Sequence, residues 1–319
     1  MARRYRHVGI DEAGYGPNLG PLVLTAVTAE SSRPTTPDLW TILEAGIARA
    51  GASDDRLWVD DSKRVYRSGD GRARLFDVCD ALAHTLGRGR PATFAALLAA
   101  FGVDSLDAAE LPRWSEADPI WRTEPTTRPR RRADPFRSRG CRIVDVRSIV
   151  VGPARFNQRL AEAPSKADVH FDAFRDLIAS AWAGGANAGA VETFVVGDKH
   201  GGRHFYLGRL AEALPETWID RGEEGPALSR YTVRTGERRM TVEFRPRADE
   251  DNALVALASI VSKAIRERWM EIFNAFWTQR VPDLEPTAGY PVDAARFRRE
   301  IDAEALRLGI EPSSWWREK

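Results

Sequence analysis

Cysteine is scarce in this chain of 319 residues: there are two, Cys79 and Cys141, with no CxxC pair. That excludes a disulfide framework and suits a reducing cytoplasm. An excess of charge is missing as well, because 47 Lys plus Arg balance 46 Asp plus Glu to a formal net charge of +1. Bulk charge therefore advertises no polyanionic partner, and any nucleic-acid binding has to come from local clustering. Long apolar runs are also lacking. The start, Met1-Ala2-Arg3-Arg4-Tyr5-Arg6, is basic but leads into a short strand pattern, so neither a signal peptide nor a transmembrane span is expected, and the expected location is cytoplasmic. No internal repeat or low-complexity tract stands out. What remains, 43% hydrophobic and 29% charged residues, suffices for a full-sized core in one large or two unequal domains.

The stretch that organises the rest is Asp11-Glu12-Ala13-Gly14-Tyr15-Gly16. An apolar strand pattern over residues 5–10 delivers two adjacent carboxylates to a Gly-rich turn, where a divalent metal and a polyanion can reach them. Taken alone, the same residues also suit an ordinary strand-to-loop exit. Residues 21–29 read as a second strand, forming a hairpin with the first. Helical periodicity marks residues 37–50, 72–86, 168–183, 204–214, 252–276 and 293–308, and strand patterns mark 141–151, 190–196, 231–234 and 240–244. Cys79 falls on the buried stripe of its helix and reads as core, and Gly184-Gly185 reads as a helix stop. Between about residues 87 and 139 the composition turns Ala-rich and then Pro- and Arg-rich, through Arg128-Pro129-Arg130-Arg131-Arg132. This inserted segment is either a phosphate-binding patch or a solvated surface run.

Asp11, Glu12, Asp198 and one of Asp249 or Asp251 each stand at a strand end or a helix start. Such ends can converge on one rim of a sheet. Four packed carboxylates raise one another's pKa unless cations neutralise them, so convergence would imply bound Mg²⁺ or Mn²⁺. Two ions between them would activate a water and stabilise the leaving oxygen in phosphodiester cleavage. The acids of Asp249-Glu250-Asp251 also suit the N-terminus of the helix that follows.

The order and wording of several segments resemble the type 2 ribonuclease H family: Gly9-Ile10-Asp11-Glu12-Ala13-Gly14-x-Gly16-Pro17 with Gly20-Pro21-Leu22-Val23, then Asp61-Ser62-Lys63, then Ala256 to Lys263 with Arg266, and Ala288-Gly289-Tyr290-Pro291. The resemblance implies a ribonuclease H-like mixed sheet flanked by helices, an α/β fold with a helical C-terminal portion. It divides the chain into a catalytic domain over residues 1–275, with the insertion at about 87–139, and an extension over 276–319. It carries the family's four metal-binding acids onto Asp11, Glu12, Asp198 and Asp249, leaving Asp251 as a cap. Gly14, Tyr15 and Gly16 then match the turn that reads a ribonucleotide 2′-OH, with Tyr290 as the downstream tyrosine. Lys63 and Lys263 match phosphate-holding positions, and Lys199 and Arg203 are further candidates; His200 or His204, close to Asp198, either assists proton transfer or metal binding or is a surface histidine, the latter being the expectation. Tyr15 stands where the family carries arginine, which exchanges a cationic contact for a stacking or hydroxyl contact. The implied function is a metal-dependent endonuclease acting on RNA–DNA hybrids or at ribonucleotides within duplex DNA. The alternatives are a hybrid-binding relative with little cleavage and a nuclease acting on DNA structures.

Overall fold

The computed structural model describes residues 4–33, 38–103, 134–138, 140–163, 165–187 and 192–318. The Arg-rich run at 128–132 lies outside them. In chain order the elements that matter here are β1 (Tyr5–Ala13), β2 (Leu22–Ser31), α1 (Leu39–Ile42), β3 (Ile47–Ala48), β4 (Leu57–Trp58), α2 (Ser62–Tyr66), α3 (Gly71–Thr85) and α4 (Phe94–Ala100). They continue with β5 (Arg137–Ser138), β6 (Cys141–Val151), α5 (Pro153–Glu162), α6 (Lys166–Asn187), β7 (Glu192–Asp198), α7 (Leu207–Ala213), β8 (Trp218–Glu224), β9 (Ser229–Thr235), β10 (Arg238–Arg245), α8 (Ala248–Asp251), α9 (Ala253–Thr278) and α10 (Pro291–Arg307).

Strand β2 shows why the fold has layers. Val23, Val27 and Ala29 enter one core with α3, α9 and α10, whereas Leu22, Leu24 and Ala26 enter a second core with α5, α6 and α7. A strand presents alternate residues to opposite faces, so a strand apolar at both parities must be covered on both sides. Among the described residues the main sheet runs β5-β6-β2-β1-β7-β10-β9-β8. β1 is antiparallel to β2 and parallel to β7, and β7 is parallel to β10. This is the mixed sheet flanked by helices that the motifs imply. Helix α9 crosses β1 at Gly9, where a Cβ would lie 2.3 Å from the Leu254 carbonyl carbon and the Val255 nitrogen. Leu284, Phe297, Ile301 and Trp315 of the C-terminal portion belong to the same core as α9. No helix among the described residues is long and apolar enough to cross a membrane.

Four local expectations change. Of the helix expected over 37–50 only α1 forms, with residues 34–37 outside the described set; the chain then turns into β3, which pairs with β4. Gly46 lies in the connection, where a Cβ would stand 2.5 Å from the Pro135 carbonyl oxygen. Helix α6 does not stop at Gly184-Gly185 but runs on to Asn187. Those glycines serve packing, because Gly184 faces the Arg6 guanidinium and a Cβ on Gly185 would meet Thr193 Oγ1 at 2.7 Å. β1 continues through the acid pair, placing Asp11 opposite Thr25 and Glu12 opposite Leu24. Finally, β8 was missed because most of its residues on both faces are exposed, which leaves no alternation to read.

Candidate active site

The acids owe their placement to the three parallel strands. β1 and β7 run in register as far as Ile10 opposite Gly197, so Asp11 and Asp198 are the next residue on each. Asp198 in turn pairs with Arg245 on β10. Arg247 then takes a left-handed conformation (φ 55°) and turns the chain into α8, which carries Asp249.

The carboxylates feel one another. Burial holds the Asp11 carboxyl well above the usual range, the Glu12 and Asp249 charges push it further, and a Ser259 hydrogen bond opposes them. Burial also raises Asp198, with the Glu12 charge adding to it and the Lys199 backbone N–H, 2.9 Å away, opposing. Asp249 is pushed up to about 6, first by burial and then by the charges of Asp61 and Asp198. None of Asp11, Asp198 and Asp249 is ion-paired to a described Lys or Arg. An all-carboxylate donor set without a cationic side chain fits a hard divalent ion such as Mg²⁺ or Mn²⁺ in kind. Among the described residues, however, no three His, Cys, Asp or Glu side chains are gathered closely enough to ligate one ion as they stand.

Hydroxyls hold Asp11 from behind. Ser259 Oγ, hydrogen-bonded to the Asp11 side chain, also lies in hydrogen-bond contact with Ser62 Oγ at 3.0 Å, which joins the Asp61-Ser62-Lys63 segment to the first acid. Ser262, Thr25 and Ser148 form a buried hydroxyl chain (2.8 and 2.9 Å) that ends on the Asp11 carbonyl, 3.2 Å from Ser262 Oγ. Asp61 accepts the Lys63 N–H at 2.8 Å and caps α2. Sequence reasoning quoted this segment but overlooked its aspartate as a fifth charge beside Asp249.

Glu12 faces the other layer. Burial would raise its pKa, but the contact with His170, Nε2 to Oε2 at 3.5 Å, outweighs this and lowers it. His170 was not singled out, since on α6 it reads as one residue of an apolar helix. Its ring lies 5.2 Å from that of Tyr15 and 4.4 Å from that of His200. His200 is buried rather than on the surface, and burial, then His170 and Arg203, push its pKa well below the usual value. Asp168 on the same helix is held low against its burial by Arg203, Ser165 and Arg209. Two phosphate candidates are thereby committed internally: Arg203 to Asp168 at 2.8 Å, and Lys199 to Gly225 O at 2.7 Å and Ser229 Oγ at 2.8 Å.

The Gly-rich turn does meet Tyr290. Gly14 adopts φ +90°, and a Cβ there would stand 2.4 Å from Pro21 O and 2.8 Å from Arg266 Cδ, so only glycine fits. Gly16 faces Tyr290, whose Cε1 is 4.0 Å from where a Cβ would be, and Tyr290 is 54% exposed. Arg266 is buried and donates Nη2 to Leu19 O and Ala288 O, each at 3.1 Å. Arg317, from the far end of the chain, donates to Gly14 O at 2.6 Å and to Pro17 O. Lys63 is exposed. Lys263 instead contacts Glu267 at 2.6 Å and lies 4.7 Å over the Tyr66 ring. Asn252, not Asp251, caps α9, accepting the Leu254 N–H at 2.9 Å.

No protein-family model matches the chain, and no curated protein does. Solved structures similar to it are type 2 ribonucleases H. One is RNase HII of Archaeoglobus fulgidus, solved in a PCNA:RNase HII complex (18% identity, TM-score 0.42, covering 98% of this chain and 94% of that one). Another is ribonuclease H2 of Pyrococcus horikoshii OT3 (15% identity, TM-score 0.37, covering 97% and 92%). A third is Bst-RNase HIII in complex with Mn²⁺ (13% identity, TM-score 0.46, covering 99% and 67%).

Proposed function

We propose that this chain is a metal-dependent endonuclease of the type 2 ribonuclease H kind, hydrolysing RNA in RNA–DNA hybrids or at ribonucleotides within duplex DNA. The proposal takes residues 1–275 as the catalytic domain and 276–319 as its C-terminal extension. One observation carries it: Asp11 and Glu12 on β1, Asp198 at the same end of β7 and Asp249 on α8 just after β10 come from three separate parts of the chain to one rim of the sheet, where burial and one another's charges raise Asp11, Asp198 and Asp249.

In this reading those four acids hold Mg²⁺ or Mn²⁺, which when bound supplies an activated water and neutralises the leaving oxygen. Ser259 fixes the Asp11 carboxylate from the protein side. His170 restrains Glu12 in its ionised form. The backbone of Gly14 and Gly16 approaches the ribose, where the 2′-OH separates RNA from DNA, and the exposed ring of Tyr290 stacks beside it. Tyr15, packed toward His170 and with Lys166 Nζ 5.1 Å from its ring centroid, takes the place of a cationic phosphate contact, and Lys63 supplies one from α2.

The test is a cleavage panel of RNA–DNA hybrid, single-ribonucleotide duplex and all-DNA duplex with Mg²⁺ and with Mn²⁺. Cleavage confined to ribonucleotide-bearing substrates and dependent on the ion is expected. Cleavage of the all-DNA duplex at equal rate would refute the substrate assignment. The internal commitment of Lys199, Arg203 and Lys263 favours a second reading, a hybrid-binding protein with little cleavage. Saturable hybrid binding without product under either ion would establish it.

A further inference from the structure

A second polar site lies on the sheet's other face, about five residues up β1 from Asp11, or roughly 17 Å at the rise of an extended strand. Between β1, β2, β6 and the C-terminal half of α6 there is a cavity of about 270 Å³, far more than a water molecule's share of about 30 Å³. Arg6, Thr28, Asp145, Arg147 and Ser180 supply its polar lining, and Val8 and Leu177 are part of its apolar floor. Arg6 is buried at 8% exposure, and its side chain's one hydrogen bond among the described residues goes to the Gly184 carbonyl, while its Nε is buried with no partner. Two acids are nearby, and each is engaged by another arginine. Glu30, opposite Arg6 across the ladder, is held by Arg142 at 3.0 Å, and Asp145, on the cavity wall, is held by Arg88 at 3.4 Å.

A buried guanidinium with neither a carboxylate nor a full set of acceptors is costly. Here it borders a space that holds a second guanidinium, that of Arg147, which donates to Ser180 Oγ at 3.1 Å. Planar forks of N–H donors with nearby hydroxyls match tetrahedral oxyanions. We propose that this cavity binds a small free anion of the phosphate class, such as inorganic phosphate. The site shares no side chain with the acidic rim and does not depend on the reading of that rim.

The test is calorimetric titration of the full-length protein with inorganic phosphate, without divalent ions and at constant ionic strength. One saturable site is expected in the wild type. R147Q should weaken it about tenfold or more, as loss of a charge-assisted contact does, and D11N should leave it unchanged. Arg6→Gln should abolish it, but because Arg6 is buried that variant can fail to fold, so the exposed Arg147 carries the deciding comparison. The proposal is overturned if folded wild-type protein gives no saturable isotherm, if R147Q binds like the wild type, or if D11N removes the binding. It is also overturned if an RNA–DNA hybrid displaces the phosphate, which would make the ligand a backbone phosphate rather than a free anion.

Discussion

Asp11 and Asp249 hold carboxylates where burial and neighbouring charge disfavour ionisation. A folded pKa above the unfolded one means that the folded chain binds its proton more tightly, so the group's contribution is present at low pH and lost as pH rises through the folded value. For Asp249 that window runs from the ordinary 3.8 to about 6. In divalent-free buffer, thermal melts should therefore show wild-type stability falling relative to Asp249→Asn between pH 4 and 7. By pH 7.5 the variant should be ahead by on the order of 1 kcal/mol, partial exposure screening the rest; parallel melting curves would contradict the electrostatic account. Asp11→Asn should melt no lower than wild type at neutral pH, yet lose Mg²⁺- or Mn²⁺-dependent cleavage by on the order of 10³-fold or more. Full activity in that variant would remove Asp11 from the chemistry. This acid pair was singled out because it sits inside a segment that resembles a family motif, since alone two acids at a strand end also suit an ordinary loop exit. His170 was not, because nothing local in an apolar helix says that its imidazole reaches Glu12 on a strand far away in sequence.

At the scale of elements, what could be read was whatever a local pattern determines. The β1–β2 hairpin and α9 were legible because apolar periodicity follows directly from covering a sheet on both faces. The glycines were not, since each answers to a neighbour that periodicity does not reveal: Pro135 at Gly46, Arg6 at Gly184 and Thr193 at Gly185. The kind of neighbour ranks the consequences of adding a methyl group. At Gly9 the new Cβ meets the α9 backbone at 2.3 Å, which cannot give way without moving the helix that carries Ser259 and Ser262. Gly9→Ala should then cost about 3 kcal/mol or more in chemical denaturation. At Gly185 the contact is the Thr193 hydroxyl at 2.7 Å, the end of a rotatable side chain, and alanine gains about 1 kcal/mol of helix propensity. Gly185→Ala should therefore lie within about 1 kcal/mol of wild type. The reverse ranking would mean that α9 does not press on β1 as described.

Across the whole molecule, the two ends of the chain meet at the turn beside the acids. Asn18 exchanges bonds with Arg317, its carbonyl accepting the Arg317 N–H at 2.8 Å and its Nδ2 donating to Arg317 O at 3.1 Å, while its own N–H reaches Gly289 O at 2.9 Å. Leu19 bridges Trp316, and Asn157 of α5 fastens the tail by donating to Trp316 O at 2.7 Å. Within this strap the Arg317 guanidinium is buried, its pKa lowered to about 9 by burial and by the Arg266 charge, and it donates to the carbonyls of Gly14 and Pro17. No strand pattern or motif near residue 317 signals this, because the contact spans about 300 residues. These bonds tie down two carbonyls of the turn from the C-terminal side. Arg317→Ala should leave two carbonyls short of a donor, at about 1–3 kcal/mol each, lower the melting temperature and speed hydrogen exchange at residues 14–16 and 18. Arg317→Lys keeps the charge but not the fork, so it should fall between alanine and wild type. A purely core role for the tail, resting on the fully buried Trp315, would instead lower stability in Trp315→Ala by about 3–5 kcal/mol while leaving exchange at the turn unchanged in Arg317→Ala. The two variants therefore separate a strap that holds the turn from a plug that only fills the core.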